Sequence, residues 1–156
     1  MGLRESLDDS TINDMNCRPV VTIGKEATVR DAVVKMRGGE LGCVVVVDDA
    51  GVAVGLFTEV ILRHRLNEGS SVLAEPLVDH MVERFAWVLK SDSASTVLDA
   101  MDIHNTRFIV ILDEERRPIG ITGQKTLIEF IADFYPRLVL TEDPTARSLS
   151  DQKEGA

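Results

Sequence analysis

The stretch CVVVVDDAGVAVGLFT, residues Cys43 to Thr58, decides the fold of this chain. Its first part, Cys43 to Val47, is apolar without a break, which is too short for a helix and typical of a strand buried on both faces. Residues Asp48 to Gly51 then supply turn chemistry, because aspartate side chains bond nearby backbone and glycine accepts a positive φ. A second apolar run, Val52 to Phe57, follows. The stretch therefore predicts a β-hairpin.

The hairpin occurs a second time as FIVILDEERRPIGIT, residues Phe108 to Thr122. Asp48 corresponds to Asp113, and Gly55 corresponds to Gly120, each pair 65 residues apart. The preceding helix repeats at the same offset, because the positions of its apolar face match one for one. These positions are Val29, Ala32, Val33 and Met36 in the first copy and Ala94, Val97, Leu98 and Met101 in the second. The chain is therefore a tandem repeat.

Each copy is predicted to run strand–helix–strand–strand–helix after one helical turn. In the first copy the turn is 10–15, the first strand 19–23, the first helix 28–39 and the last helix 59–66. In the second copy the turn is 76–81, the first strand 86–89, the first helix starts near Ser93 and the last helix runs from Gln124 to about Tyr135.

These elements predict an α/β (α+β) fold in which two β-α-β-β-α units pack about a pseudo-twofold axis. A copy of about 60 residues buries its core poorly alone, so the copies are expected to share one and to leave clefts at their junction. The predicted organisation is a flexible N-terminus (1–9), repeat 1 (10–67), a connector (68–75), repeat 2 (76–140) and a disordered polar tail (141–156). The alternative for the N-terminus is a short helix that docks through Leu3 and Leu7.

Composition excludes several classes of protein. A net charge of −9 argues against binding of nucleic acid or of an anionic membrane surface. The two cysteines lack metal-site spacing, and the three histidines are not placed as mutual ligands, so no metal is predicted. Neither a signal-peptide pattern nor a membrane-spanning run is present, and the predicted location is cytoplasmic. Catalytic motifs are also absent, which predicts a protein that is not an enzyme.

The repeated unit resembles a pair of CBS domains, named for cystathionine β-synthase, from about Thr11 to Phe134. The resemblance rests on VVVVDDAGVAVGLFT, on IVILDEERRPIGIT, and on the helices and turns that precede them. It implies a stand-alone regulatory module whose clefts take AMP, ADP, ATP or S-adenosylmethionine. It also implies a homodimer, to which the long apolar stripe of the last helix contributes, and an unknown effector protein regulated in trans.

In this family a G-h-x-[ST]-x-x-D motif supplies a hydroxyl for phosphate and a carboxylate for the ribose. The first copy has Thr58 at the hydroxyl position but Ile61 in place of the aspartate. The second copy has Gly123 in place of the hydroxyl residue and Thr126 in place of the aspartate. Ribose recognition in the usual manner is therefore not expected.

The second cleft is predicted as the better anion site, because the first carries Glu59 in its helical turn. Phosphate is expected to contact Gly123, Gln124, Lys125 and Thr126 at the start of the last helix, with Arg107 assisting. The base is expected to lie against Trp87, Val88 and Ile109. At the first cleft the candidates are Thr58, at the hydroxyl position, and Val21. The alternative is that Lys125 and Arg107 are solvated surface charges.

Two functions therefore follow from the sequence. The first is a non-catalytic module that senses a small anionic ligand, such as an adenine nucleotide, and shifts between orientations of its repeats. The second is a ligand-free dimeric module that uses the fold only for assembly.

Overall fold

The computed structural model describes residues 2–15, 17–39, 41–104 and 106–134. Helices and strands follow the same order in both repeats, and one helix precedes the first. The helices are α1 (Leu3–Asp9), α2 (Val29–Gly39), α3 (Glu59–Leu66), α4 (Ala94–His104) and α5 (Gln124–Phe134). The strands are β1 (Thr22–Gly24), β2 (Cys43–Val47), β3 (Ala53–Thr58), β4 (Trp87–Leu89), β5 (Phe108–Leu112) and β6 (Pro118–Gly123). Short 3-10 turns lie at Ile12–Asp14, Ser70–Ala74 and Leu77–Asp79.

Each repeat forms a three-stranded sheet with the same pairing. The central strand pairs parallel with the strand before it and antiparallel with the strand after it, in the orders β1-β2-β3 and β4-β5-β6. Val46 lies opposite Gly55, and Ile111 lies opposite Gly120. The register also shifts at the same place, directly after Val46 and directly after Ile111. The predicted tandem β-α-β-β-α fold is confirmed.

The two hairpin turns use the same aspartate chemistry. The Asp48 carboxylate accepts hydrogen bonds from the backbone N–H groups of Ala50 (2.9 Å) and Val52 (3.0 Å). The Asp113 carboxylate does the same two and four residues onward, at 3.0 and 2.8 Å. Gly51 adopts a φ of +80°, and the residue at its place in the second turn, Arg116, adopts +64°. The turn geometry is therefore kept although one copy lacks the glycine.

The start of α2 is fixed by a reciprocal cap. Asp31 N–H donates to the Thr28 hydroxyl (3.3 Å), and Thr28 N–H donates to the Asp31 carboxylate (3.0 Å). Together these bonds satisfy the backbone N–H groups of Thr28 and Asp31, which have no partner within the helix. Thr28 and Asp31 therefore form a T-x-x-D capping box.

Three layers of apolar side chains form the core. The middle layer joins the two sheets face to face, through alternate residues of β2 and β5 such as Val45 and Val110. The intervening residues of the same strands face the helices, Val44 and Val46 towards α2 and Ile109 towards α4. Because both faces of β2 and β5 are covered, their residues are continuously apolar, as the sequence indicated.

The helical turn before each repeat packs on the other repeat. Ile12 lies in the helix-side core of the second repeat, and its N–H donates to the Asp92 carbonyl (3.1 Å). Leu77 lies in the helix-side core of the first repeat, and its N–H donates to the Ala27 carbonyl (2.9 Å). The two repeats therefore exchange their leading segments.

The N-terminal segment differs from the flexible one predicted for residues 1–9. Leu3–Asp9 form α1, and Leu7 is 1% exposed within the core of the second repeat. This is the docked short helix that the sequence left as the alternative. The connector is also structured, because Val72 is buried against the first repeat. The predicted end of the last helix at Tyr135 and the predicted tail, 141–156, lie outside the described residues.

Candidate functional site

A cleft of about 330 Å³ lies where the two repeats meet, and both repeats line it. Gly42 and Glu59 of the first repeat lie in its wall together with Arg107 and Gln124, which stand 65 residues further along the chain at the corresponding places. The cleft therefore sits at the pseudo-twofold axis, and we call it the central cleft. It is lined by Arg18, Leu41, Gly42, Glu59, Arg107, Phe108, Ile121, Thr122, Gly123, Gln124, Lys125 and Thr126.

The junction of β6 and α5 forms one wall of the central cleft, and close backbone packing fixes it. Gly123, the last residue of β6, lies against the carbonyl of Arg107, and a Cβ at Gly123 would come within 2.1 Å of that oxygen. No larger residue fits without a shift of backbone. This contact explains why the second repeat has glycine where the family motif has a hydroxyl residue.

The corresponding junction in the first repeat keeps its hydroxyl but uses it locally. The Thr58 hydroxyl accepts a hydrogen bond from Ile61 N–H (3.4 Å) and so caps α3. Gly123 has no side chain with which to cap α5 in the same way. The first backbone N–H groups of α5 therefore receive no hydrogen bond from residue 123. Helix α5 begins at Gln124, in the wall of the central cleft.

Cations outnumber carboxylates in the lining of the central cleft. Arg107 pairs with Glu59 across the two repeats at 3.6 Å, and Arg18 pairs with Glu129 at 3.8 Å. For Lys125, the described residues provide no carboxylate within 4.0 Å. The prediction that Glu59 belongs to a separate first cleft is wrong, because Glu59 lines the same cleft as Lys125. The fold brings the N-terminal ends of α3 and α5 to one cleft.

The structure divides the predicted site residues into two groups. Arg107, Gly123, Gln124, Lys125 and Thr126 come together in the central cleft, and Thr126 is buried there at 3% exposure.

The residues predicted to flank the base do not line the central cleft. Val88 and Ile109 are buried in the helix-side core of the second repeat. Trp87 lies in another depression beside Arg116, whose guanidinium stacks 4.8 Å from the ring centroid. Val21 packs on the core of the first repeat, and Thr58 caps α3 as described above.

Arg18 is the charged residue of the central cleft that sequence analysis missed. It precedes the first strand of the first repeat, yet its backbone forms a two-way bridge with Ile121 of the second, with both hydrogen bonds at 2.9 Å. This bridge carries the Arg18 side chain to the second repeat. A basic residue in the segment before a strand was the available signal, but it gives no indication of which repeat the segment joins.

Neither cysteine offers a reactive thiolate. Burial, and after it the negative charge of Glu59, raises the pKa of the Cys43 thiol from 9.0 to about 12. Burial also raises the pKa of Cys17, against a smaller opposing effect of a hydrogen bond with Thr122. Because the folded pKa of Cys43 lies above its unfolded value, its contribution to stability is complete below about pH 9 and is lost as the pH rises.

Two other kinds of site are absent from the part of the chain that the structure describes. These residues contain no cluster of three or more histidine, cysteine or acidic side chains that could hold a metal ion. Nor do they form a helix with the length and hydropathy of a membrane span.

Comparison with known families settles the kinship of the chain. The family model described as "CBS domain" matches twice, over residues 12–68 and 77–133. The chain belongs to the CBS domain family. The two matches cover most of the described residues and coincide with the two repeats, so the molecule is a CBS domain pair.

The curated relatives of this CBS pair are longer proteins. The choline transport ATP-binding protein OpuBA of Bacillus subtilis is 25% identical over 119 residues, which cover 76% of this chain and 30% of that protein. The arabinose 5-phosphate isomerase KdsD of Pseudomonas aeruginosa is 28% identical over 110 residues, which cover 70% of this chain and 33% of that protein. The chain thus spans about a third of the length of these relatives.

Solved structures share the fold of this CBS pair. The CBS-domain containing protein ATU1752 from Agrobacterium tumefaciens has a TM-score of 0.64 at 24% identity, covering 72% of this chain and 84% of that one. The CBS domain pair of protein MJ0100, in complex with 5-methylthioadenosine and S-adenosyl-L-methionine, has a TM-score of 0.70 at 16% identity, covering 80% and 97%. CBSX2 in complex with AMP has a TM-score of 0.69 at 17% identity, covering 80% and 98%.

Proposed function

We propose that this CBS pair is a non-catalytic regulatory module that binds a small anionic ligand, such as an adenine nucleotide, in the central cleft. The observation that carries the proposal is the lining of that cleft, where Arg18, Arg107 and Lys125 accompany a single carboxylate, that of Glu59. The neighbours that hold AMP and S-adenosyl-L-methionine support a ligand that contains adenosine, and AMP among them is an anion.

Lys125 and the start of α5 form the proposed phosphate contact. Lys125 lacks a carboxylate partner among the described residues, and the first N–H groups of α5 offer further donors. Backbone N–H groups at a helix N-terminus favour a phosphate, and lysine binds it as a point charge. Thr126 stands where a carboxylate would hold the ribose, so we expect weak binding that depends on the phosphate more than on the sugar.

The Arg107–Glu59 pair gives the ligand a way to act on the protein. It joins the second repeat to the first at 3.6 Å, and both side chains are more than half exposed. A phosphate in the central cleft competes with Glu59 for the Arg107 guanidinium. Binding therefore favours an arrangement of the repeats in which this pair is open, which is a shift of population between two states. In this proposal a separate effector protein reads that shift.

Thermal melting measures the proposed binding directly. With AMP, ADP, ATP or S-adenosylmethionine at about 100 times the dissociation constant, ligand binding stabilises the fold by about 2.7 kcal/mol. For a protein of this size we expect the melting temperature to rise by about 5–10 °C. Lys125→Ala is expected to reduce the shift, and Glu59→Gln to enlarge it because Arg107 is released. Lys25→Ala, which removes an exposed lysine outside the central cleft, is the control.

The outcomes separate the possible sites. No shift with any of the four compounds at millimolar concentration would favour the ligand-free module instead. A shift that survives Lys125→Ala unchanged would move the ligand towards Thr58. A shift reduced equally by Lys25→Ala would mean that overall charge, and not the central cleft, controls binding.

Self-association is the second part of the proposed function. Large apolar side chains are exposed on the outer helices, with Val34 of α2 67% exposed, Ile103 of α4 77% and Ile128 of α5 59%. Exposed apolar side chains mark an interaction surface where they lie together in one patch. We expect a homodimer. Sedimentation equilibrium at micromolar concentration measures its mass. A monomer mass throughout that range would contradict this expectation without affecting the ligand proposal.

A further inference from the structure

A second depression, of about 500 Å³, lies where the beginning of β3 meets the second repeat, and we call it the seam pocket. Both repeats form it, and they are joined there because the Ala53 N–H donates to the Arg116 carbonyl (3.0 Å). Ala53 begins β3 and Thr58 ends it about 17 Å further on, next to Glu59 of the central cleft. The two sites share no lining residue. The seam pocket is lined by Val52, Ala53, Val54, Glu83, Arg84, Phe85, Trp87, His104 and Arg116.

An aromatic ring and a guanidinium are held against each other in the seam pocket. The Arg116 guanidinium lies 4.8 Å from the centroid of the Trp87 ring, which is within the range of a cation–π contact. This contact covers only part of the ring, because Trp87 remains 41% exposed. A guanidinium stacked on a ring directs its N–H donors to the sides, where a carboxylate can accept them. The pair therefore offers an apolar surface and a fixed anion contact side by side.

The corresponding positions of the first repeat hold no such pair. Trp87 pairs with β5 where Thr22 pairs with β2, so Thr22 is its counterpart. The counterpart of Arg116 is Gly51, 65 residues earlier, and glycine adopts the positive φ of this turn without strain. Arg116 adopts a φ of +64° in spite of its side chain. The turn itself therefore does not require arginine, and residues in disfavoured conformations are found preferentially at functional sites.

One positive charge remains in excess in the seam pocket, with histidine counted as neutral. Arg84 and Arg116 accompany a single carboxylate, that of Glu83. None of these three side chains forms an ion pair within the described part of the chain. The acidic residues 113–115 of the same hairpin turn line a different depression. An excess of one positive charge is the complement of a ligand with one negative charge, in a chain whose net charge is −9.

We propose that the seam pocket binds a small organic monoanion, a carboxylate carried on a flat apolar body. The guanidiniums of Arg84 and Arg116 hold the carboxylate, because the planar fork of arginine matches its two oxygens. Trp87, Phe85 and Val54 contact the apolar body, as in ligand sites where apolar side chains surround a few polar groups. This site is additional to the proposed nucleotide site and does not depend on it.

Tryptophan fluorescence measures this binding directly, because Trp87 is the one tryptophan in the sequence. Benzoate is the probe. Benzamide has the same ring without the charge, and acetate has the charge without the ring. We expect benzoate at millimolar concentration to change the Trp87 emission in a saturable way. Benzamide and acetate are each expected to bind about tenfold more weakly or less, because each lacks one half of the recognised structure.

Arg116→Gly removes the guanidinium and keeps the turn, since glycine is the residue at this place in the first repeat. We expect this variant to fold, which thermal melting checks, and to bind benzoate about tenfold more weakly or less. Arg84→Gln tests the second guanidinium in the same way. Arg117→Gln is the matched control, because Arg117 is exposed in the same turn and does not line the seam pocket. Saturation-transfer NMR of benzoate compares all variants without relying on the emission of Trp87.

Several results would overturn the seam-pocket proposal. They are the absence of a saturable change with benzoate, equal binding of benzamide, and unchanged benzoate binding by Arg116→Gly. A loss of equal size in Arg117→Gln would show that the charge of the turn, and not the pocket, attracts the probe. Inorganic phosphate that bound more tightly than benzoate would contradict a monoanion with an apolar body. Each of these outcomes leaves the nucleotide proposal standing, because melting with AMP and Lys125→Ala test the central cleft separately.

Discussion

Replacing Leu7 by alanine is expected to lower the free energy of unfolding by about 2–5 kcal/mol, the range for a buried leucine truncated to alanine. Leu7 is 1% exposed and packs with Ile12, Val97 and Phe130 in the helix-side core of the second repeat. The loss is large because the truncation removes buried apolar surface and leaves a cavity in the core that α1 helps to fill. Urea denaturation measures the change in free energy.

Leu3→Ala is the matched control, because Leu3 lies in the same helix and is 40% exposed. Its truncation is expected to change the free energy of unfolding by less than about 0.5 kcal/mol, as is usual for surface positions. Equal and small effects of both substitutions would show that α1 does not dock on the second repeat in solution. Residues 1–9 would then be the flexible segment that their polar composition suggests.

The repeat itself was predictable because hydrophobic patterning and turn chemistry act locally. Five apolar residues followed by Asp48 specify a buried strand and a turn whatever lies elsewhere in the chain. The offset of 65 residues then transfers each assignment to the second copy. The same offset holds in the strand registers, including the irregularity after Val46 and after Ile111.

The second hairpin turn departs from the usual residue at its positive-φ position. Arg116 adopts a φ of +64° at the place of Gly51, a conformation that is strained for a residue with a side chain. The strain is offset locally, because the Asp113 carboxylate holds the turn and the Arg116 guanidinium stacks on Trp87. This stacking also explains the position of Trp87 away from the central cleft.

The exchange of leading segments could not be predicted, because a short helical turn fits either repeat equally well by its own pattern. Ile12 and Leu77 are apolar residues in similar turns, and only the complete fold determines which core each one fills. The composition of the central cleft depends on this exchange, since it brings Arg18 to the second repeat. Glu59 pairs with Arg107 because the two repeats meet at the central cleft. The sequence of one copy cannot predict this pair, because its two residues belong to different repeats.

The sequence shows that glycine replaces the hydroxyl residue of the family motif at position 123. A packing contact explains the glycine. The sequence shows that a hydroxyl residue is missing, whereas the structure shows that the Arg107 carbonyl occupies the space of any side chain there. The glycine therefore contributes to the central cleft by letting β5 and the start of α5 approach each other. Loss of this approach should affect both stability and the proposed ligand contact.

Gly123→Ala is accordingly expected to destabilise the fold by about 1–3 kcal/mol, the range for an overpacked site. The upper part of this range is expected, because the obstructing atom, 2.1 Å from the new Cβ, belongs to the backbone and cannot rotate away. The shift should separate Arg107 from the start of α5, so any nucleotide-dependent rise in melting temperature should fall as well. Denaturation with and without nucleotide measures both effects on the same sample.

Gly38→Ala provides the contrasting change at a glycine with open surroundings. Gly38 lies in α2, and a Cβ there meets no atom within 4 Å. Alanine is favoured over glycine in a helix, so this variant should gain about 0.5–1 kcal/mol. If Gly123→Ala gave a gain of similar size, the close contact with the Arg107 carbonyl would be absent in solution. The wall of the central cleft would then have room for the side chain that the family motif places there.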